Sequence, residues 1–255
     1  MRRRSWLGLP IVGVLALVML APFIYMVATS LREDGGAYAN ALDALPFPRF
    51  LLNSFLLAGG AAVGQVLTSA TAAYAFARLR FPGRDRVFLA FLSILVMPAV
   101  ALLVPRFLMI NAMGWVDTYP GLISTELVSV WGIFFLRQAF RSLPRDLEDA
   151  ARLDGAGEWT IFWHVTLPLA KPALATLGLL AFVDQWKNFL WPLVATRSLE
   201  MQVAEVGLAR FHGLYPGNWP YQLAAAVAVT LPLLIVFFVA QRYLSRGLPL
   251  AASRS

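Results

Sequence analysis

Six stretches of about 20 mostly apolar residues, with most of the charges lying between them, constrain this chain more than any other feature of its sequence. A helix needs about that length to cross roughly 30 Å of hydrocarbon, where every backbone polar group must be satisfied within the segment. The stretches run approximately 7–31, 51–76, 87–108, 119–136, 172–196 and 221–240. They predict an all-α, polytopic integral membrane protein with six transmembrane helices in one domain spanning 1–255. Composition agrees: 59% of residues are hydrophobic and 14% charged, against about 25% charged in soluble domains, which disfavours a cytosolic enzyme or nucleic-acid module. The first stretch follows Met1-Arg2-Arg3-Arg4, like a signal peptide, but exceeds the usual apolar core of about 7 to 15 residues and reads as a retained helix.

The net charge of +7 is topological. With the N-terminus inside, the cytoplasmic side carries Arg2, Arg3, Arg4, Arg78, Arg80, Arg84, Arg86, Arg137, Arg141, Arg145, Arg152, Lys171, Arg242, Arg246 and Arg254, 15 of the 21 Lys and Arg. Short cytoplasmic loops hold this excess in membrane proteins, so both termini are expected inside. No anionic partner such as nucleic acid is needed to explain the charge. With no cysteine and only His164 and His212, neither disulfides nor a thiolate or His-rich metal site is expected. In the second stretch Gly60 and Gly64 lie four apart, which suggests close helix packing.

The longest basic connection, about 137–171, has helical structure of its own. Pro144 suits a first helical turn, Asp146, Glu148 and Asp149 complement the positive helix end, and Leu147, Ala150 and Ala151 share a face. Asp154-Gly155 supplies a turn. A second helix from Glu158 sets Trp159, Phe162 and Trp163 close to one stripe and is expected to stop at Leu167-Pro168. Periodicity leaves two places for the apolar face: against its own membrane domain, or in a partner's groove.

The fifth stretch carries Asp184 and Lys187 three residues apart. A lone charge at the bilayer centre costs roughly 2.5 to 3.5 kcal/mol, so they pair with each other or face a polar path. Gln185, Asn188, Trp186 and Trp191 beside them suit a path for polyols, since amides bond hydroxyls and rings stack on sugar faces. Glu126 in the fourth stretch is a further intramembrane carboxylate. Within 197–219, Arg210, Phe211, Tyr215 and Trp219 form an external segment expected to meet an external protein partner, in which His212 reads as a surface polar residue.

Asp149-Ala150-Ala151, Gly155 after three further residues, and Val165-Thr166-Leu167-Pro168 after nine more resemble the Glu-Ala-Ala loop of binding-protein-dependent ABC importer permeases. Asp149 and Val165 replace the usual Glu and Ile. Leu52-Asn53-Ser54, Ala73-Tyr74-Ala75-Phe76-Ala77-Arg78, Phe81-Pro82-Gly83, Pro98 and the segment 186–192 resemble the carbohydrate-uptake branch, the maltose-transporter-G-like permeases. The resemblance implies a sugar permease in a bacterial or archaeal cytoplasmic membrane. It would pair with a second homologous permease and two ATP-binding subunits and receive cargo from an extracytoplasmic binding protein. ATP and Mg would then be bound by the ATPase subunits, with no cofactor or catalytic site in this chain. Consistently, neither lysine follows the glycine of a phosphate-binding Gly-Lys-Ser/Thr. The resemblance assigns Asp149, Ala150, Ala151, Asp154 and Gly155 to the ATPase contact. Lys187 and Asn188 stand where the family has Asn and Asp, which leaves an anionic cargo open.

Two other functions are compatible with parts of the pattern. An ion-coupled secondary transporter would use Asp184, Lys187 and Glu126 as a relay, but such folds have more spans and internal repeats. An intramembrane enzyme would need a nucleophile with its base or a His-Glu-x-x-His cluster, neither of which is present.

Overall fold

Proline, serine and asparagine, more than hydropathy, decide where the helices of this chain start and stop. The computed structural model describes residues 8–32 and 36–247. Arg2, Arg3, Arg4 and Arg254 of the charge asymmetry, and the first residue of the first stretch, lie outside them. The helices are α1 (Gly8–Ser30), α2 (Gly36–Ala44), α3 (Phe47–Arg78), α4 (Arg84–Ser93), α5 (Leu103–Ala112), α6 (Tyr119–Ser124) and α7 (Val130–Ser142). Then follow α8 (Asp146–Leu153), α9 (Glu158–Ile161), α10 (Leu167–Leu169), α11 (Lys171–Trp186), α12 (Leu190–Ala195), α13 (Ala204–Leu214) and α14 (Trp219–Gly247). No strand occurs among the described residues.

α1, α3 and α14 are long and apolar enough to cross a membrane unaided. Two bent pairs bring the number to five if each is one span: 84–96 with 99–112, bent by 98°, and 158–169 with 171–186, bent by 77°. The third apolar stretch is therefore no straight helix. Pro98 forces itself and Met97 into extended backbone (ψ 130° and 129°), so helix cannot pass through them. The fourth stretch is split into α6 and α7, because the Ser129 hydroxyl accepts the N–H of Gly132 at 3.1 Å and starts a new helix. In the fifth, Asn188 Oδ1 takes the N–H of Trp191 at 3.4 Å and separates α11 from α12.

α3 is the central post, packed chiefly on α11 and α7. Hydrocarbon offers helices no hydrophobic drive to associate, so close packing and buried polar ties hold them together. Gly60 and Gly64 serve that packing as expected. A Cβ on Gly60 would lie 3.2 Å from Ile123, and one on Gly64 would collide with Leu127, both beside the α6–α7 break. At the N-terminal end of α3, Asn53 Nδ2 donates to the carbonyls of Glu200 and Gln202 at 2.7 Å each. Tyr119 donates to Asn53 Oδ1 at 2.7 Å, and Ser54 Oγ accepts the N–H of Ala204 at 2.9 Å. The Asn-Ser motif thus pins the segment leading into α13. Asp117 adds a second pin from a left-handed conformation (φ 62°), accepting the N–H groups of Arg197 and Ser198 at 2.8 and 3.0 Å. Burial pushes its carboxyl up, but those bonds and the Arg197 charge outweigh it and hold the group below its ordinary value.

Candidate functional site

Two polar clusters sit along α3, one at its C-terminal end and one beside the helix breaks. At the first, Arg78 and Glu148 form an ion pair at 2.9 Å with side chains 2% and 1% exposed. Arg78 also donates to the carbonyl of Leu143 at 3.2 Å, and Thr166 donates to Glu148 at 3.3 Å. Around this core Arg152 bonds Asp149 at 2.8 Å and Glu158 at 3.1 Å, while the Tyr74 hydroxyl donates to Glu158 at 2.6 Å. The Arg152 bond, helped by Tyr74, holds the Glu158 carboxyl below its ordinary value against the opposing effect of burial. The same bond pushes the Arg152 guanidinium up. These ties fasten the α8–α9 hairpin to α3.

The hairpin is built inside out relative to a water-soluble amphipathic helix. Its inward residue in α8 is Glu148, whereas Leu147 and Leu153 are 52% and 89% exposed. Asp149, Ala150, Asp154 and Gly155 are exposed and Ala151 is half-buried. Gly155 has φ 84°, the conformation expected of a turn glycine, and Ala156 N–H closes α8 on the Ala151 carbonyl at 2.9 Å.

Three local expectations are corrected. α8 begins at Asp146, so Pro144 precedes the helix instead of opening it. The aromatic stripe divides: Phe162 is buried with its ring 5.0 Å from that of Tyr74, while Trp159 and Trp163 point outward, 68% and 51% exposed. The second helix also does not stop at Leu167-Pro168. A π-helical turn, Phe162–Thr166, carries it into α10, because the widened turn relieves the clash of a proline ring with the preceding carbonyls. The break falls at Ala170.

In the second cluster, Glu126 in the α6–α7 break pairs through one oxygen with Arg106 of α5. Its other oxygen accepts from Gln185 Nε2 at 2.8 Å, and Gln185 Oε1 accepts from Asn188 at 3.2 Å. Arg106 also donates to Thr125 Oγ1 at 2.8 Å, and its guanidinium lies 4.3 Å over the Trp191 ring. Carbonyls freed by the break are taken up by α3: Gln65 donates to that of Glu126 at 2.9 Å and Thr68 to that of Leu127 at 2.8 Å. Broken helices are tolerated at membrane depth on this condition.

The path residues expected from sequence are thus redistributed. Trp186 and Trp191 are 1% and 2% exposed, with Trp186 donating to the Val229 carbonyl at 3.3 Å and Trp191 to that of Leu122 at 3.1 Å. Their faces belong to the core. Asp184 and Lys187 are exposed, and no ion pair joins them among the described residues. Gln185 and Trp186 take the buried face of α11, which directs Asp184 and Lys187, on either side, to the surface. Glu126 contacts neither of them, which removes the direct contacts of a three-residue relay. Arg106, inside the third apolar stretch, is the site residue that the sequence reading does not single out. The signal was present, since an arginine within an apolar run is an intramembrane ionisable group until shown otherwise. The roles of Arg78 and Glu148 had no local signal.

A helical chain with membrane-length spans, helix breaks closed by buried polar ties and a fastened hairpin of outward apolar residues is a polytopic transport-type membrane protein. Comparison with known proteins makes this specific. The profile of the family described as binding-protein-dependent transport system inner membrane component matches residues 65–248, and the chain belongs to that family. It is 32% identical to the arabinooligosaccharide transport system permease protein AraQ of Halalkalibacterium halodurans, over 96% of this chain and 94% of that one. It is 34% identical to the sn-glycerol-3-phosphate transport system permease protein UgpE of Yersinia pestis, covering 81% and 74%. To the diacetylchitobiose uptake system permease protein NgcG of Streptomyces coelicolor the identity is 30%, covering 89% and 82%. A chain of a bacterial ABC transporter involved in import of the acidic polysaccharide alginate superposes with TM-score 0.84 at 26% identity, over 95% of this chain and 99% of that one.

Proposed function

We propose that this chain is the membrane-spanning subunit of an ATP-driven importer that moves a sugar or sugar derivative. The observation that carries the reading is the orientation of α8. Its carboxylate turns inward to Arg78 while Leu147, Ala150 and Leu153 are left outward among Asp146, Asp149 and Asp154, apolar side chains that its own membrane domain does not cover. The matching surface belongs to an ATP-binding subunit, whose closure moves the hairpin and, through the Arg78–Glu148 tie, α3. In this reading Asp149, Ala150, Ala151, Asp154 and Gly155 make the contact, and the hairpin lies within a coupling loop at about 137–171 of a single transmembrane domain. ATP and Mg are handled by two separate ATPase subunits. A second homologous permease completes the path, and an extracytoplasmic binding protein delivers cargo, which the family's description as binding-protein-dependent supports. Six spans are read from the apolar stretches, with the α6–α7 pair as the one the helix lengths leave short, and both termini on the cytoplasmic side of the inner membrane are read from the basic asymmetry. Of the path candidates, Asp184, Lys187 and Asn188 keep accessible surface, while Glu126, Trp186 and Trp191 hold the wall in place.

The test is copurification with an ATPase, and stimulation of its activity by saccharide-loaded binding protein in proteoliposomes. A permease that neither retains an ATPase nor responds to any loaded binding protein refutes the reading. For topology, single cysteines at Ser142 and Gly213 in this cysteine-free chain should be spared and labelled, respectively, by an impermeant thiol reagent on intact cells. The opposite pattern reverses the orientation.

A further inference from the structure

A recess of about 420 Å³ opens where the break after α11 meets α13 and α14. Small-molecule sites typically measure roughly 300–1,000 Å³ and are mainly apolar, with a few converging polar groups. This recess fits that description: Leu208, Ala209, Leu223 and Ala226 line it with Phe189, Glu205, His212 and Gln222. Glu205, in the first turn of α13, is half-buried and has no hydrogen-bond or ion-pair partner among the described residues. A carboxylate in such surroundings is costly until something satisfies it. Burial pushes its carboxyl up, and the nearby exposed Lys187 offsets part of that. The imidazole beside it is pre-oriented. Gln222 Nε2 donates to the Tyr215 carbonyl at 2.6 Å, which turns its Oε1 to the Nδ1 of His212 at 2.8 Å. A neutral His212 then donates from Nδ1 and presents Nε2 as an acceptor. Phe189 remains 38% exposed.

We propose that this recess is a cargo subsite for one uncharged sugar ring, with Phe189 against its apolar face and Glu205 and His212 accepting from its hydroxyls. The proposal rests on the importer reading and deepens it by naming contacts that lie outside the fifth apolar stretch. Among the described residues Glu205 is the one carboxylate lining the recess and no Lys or Arg lines it, so the site favours a neutral polyol over a phosphate.

The experiment uses the assembled complex in proteoliposomes with its binding protein. Arabinotriose, N,N′-diacetylchitobiose and sn-glycerol 3-phosphate are first compared for stimulation of ATPase activity. With the stimulating neutral saccharide, Glu205→Gln should lower sugar moved per ATP by about tenfold, the low end for a weakened bond to a charged group, and Phe189→Ala should lower it as well. The loaded binding protein should still give half-maximal stimulation at its original concentration, which separates a cargo contact from a docking contact. The same sugar should protect Glu205 of the unmodified complex from a hydrophobic carbodiimide, read by mass spectrometry, which decides the matter if the variants fail to assemble. Unchanged sugar-to-ATP ratios in both variants, or labelling indifferent to the sugar, overturn the subsite while the importer reading stands. Stimulation by sn-glycerol 3-phosphate alone overturns the neutral-ring assignment. If no saccharide stimulates ATPase activity, the carbohydrate reading fails and the subsite with it.

Discussion

Two ion pairs among the described residues, Arg78–Glu148 at the hairpin and Arg106–Glu126 at the helix breaks, use the same chemistry in opposite ways. The first is almost sealed, 2% and 1% exposed, and the helix that carries Glu148 turns Leu147 and Leu153 outward. The second is 25% and 12% exposed and is embedded in further polar groups, Thr125, Gln185 and Asn188. A sealed pair is rigid because neither partner has water to turn to, so it suits a strut that passes force. A pair left partly exposed can exchange partners, so it suits a wall that rearranges when the path opens. The difference lies in surroundings, not in residue type.

The largest effect separating them is expected at the sealed pair. Glu148→Ala or Arg78→Ala leaves an uncompensated buried charge, which costs about 3–5 kcal/mol, and should release the hairpin. Thermal unfolding in detergent and proteolysis within 143–170 measure it, and Arg78→Met with Glu148→Leu should recover much of the loss. At the second pair Glu126→Gln should cost less, about 1.5–3 kcal/mol, the range for bonds to charged groups. A loss equal to that of Glu148→Ala would break the comparison. Smaller still in stability, within about 0.5 kcal/mol, should be Leu153→Asp on the exposed face of α8, with Asp149→Lys costing up to about 1 kcal/mol more for the lost Arg152 pair and helix-end charge. ATPase retention in pull-downs and uptake should nevertheless fall sharply, and retention at full yield with normal uptake would contradict the contact assigned to this face.

The smallest effect is a pH dependence. The folded Glu158 carboxyl lies below its ordinary value, so its contribution is complete above the ordinary carboxylate range and is lost as pH falls through the depressed folded value. Acidification should therefore loosen α9 from Tyr74, seen as faster amide exchange in 158–162, and Glu158→Gln should remove that dependence. Because the Glu158 side chain is 46% exposed, the change in global stability should be slight.

The apolar runs, the basic asymmetry and the local order of Asp149, Asp154 and Gly155 by themselves determined a helical membrane chain with a turn-bearing hairpin on its basic side. Each is a property of neighbours in sequence: transfer energy summed over one segment, charge counted in one loop, a left-handed turn that glycine takes without strain. Only the tertiary structure decided which face of α8 turns inward, where the membrane stretches break and whom each charge meets. Arg78 lies 70 residues from Glu148, and Arg106 20 from Glu126. No periodicity links such positions, because a buried charge takes the partner that helix packing delivers. Asp184 and Lys187, three apart and opposite in sign, show the converse: proximity in sequence was not enough once Gln185 and Trp186 had claimed the buried face of α11.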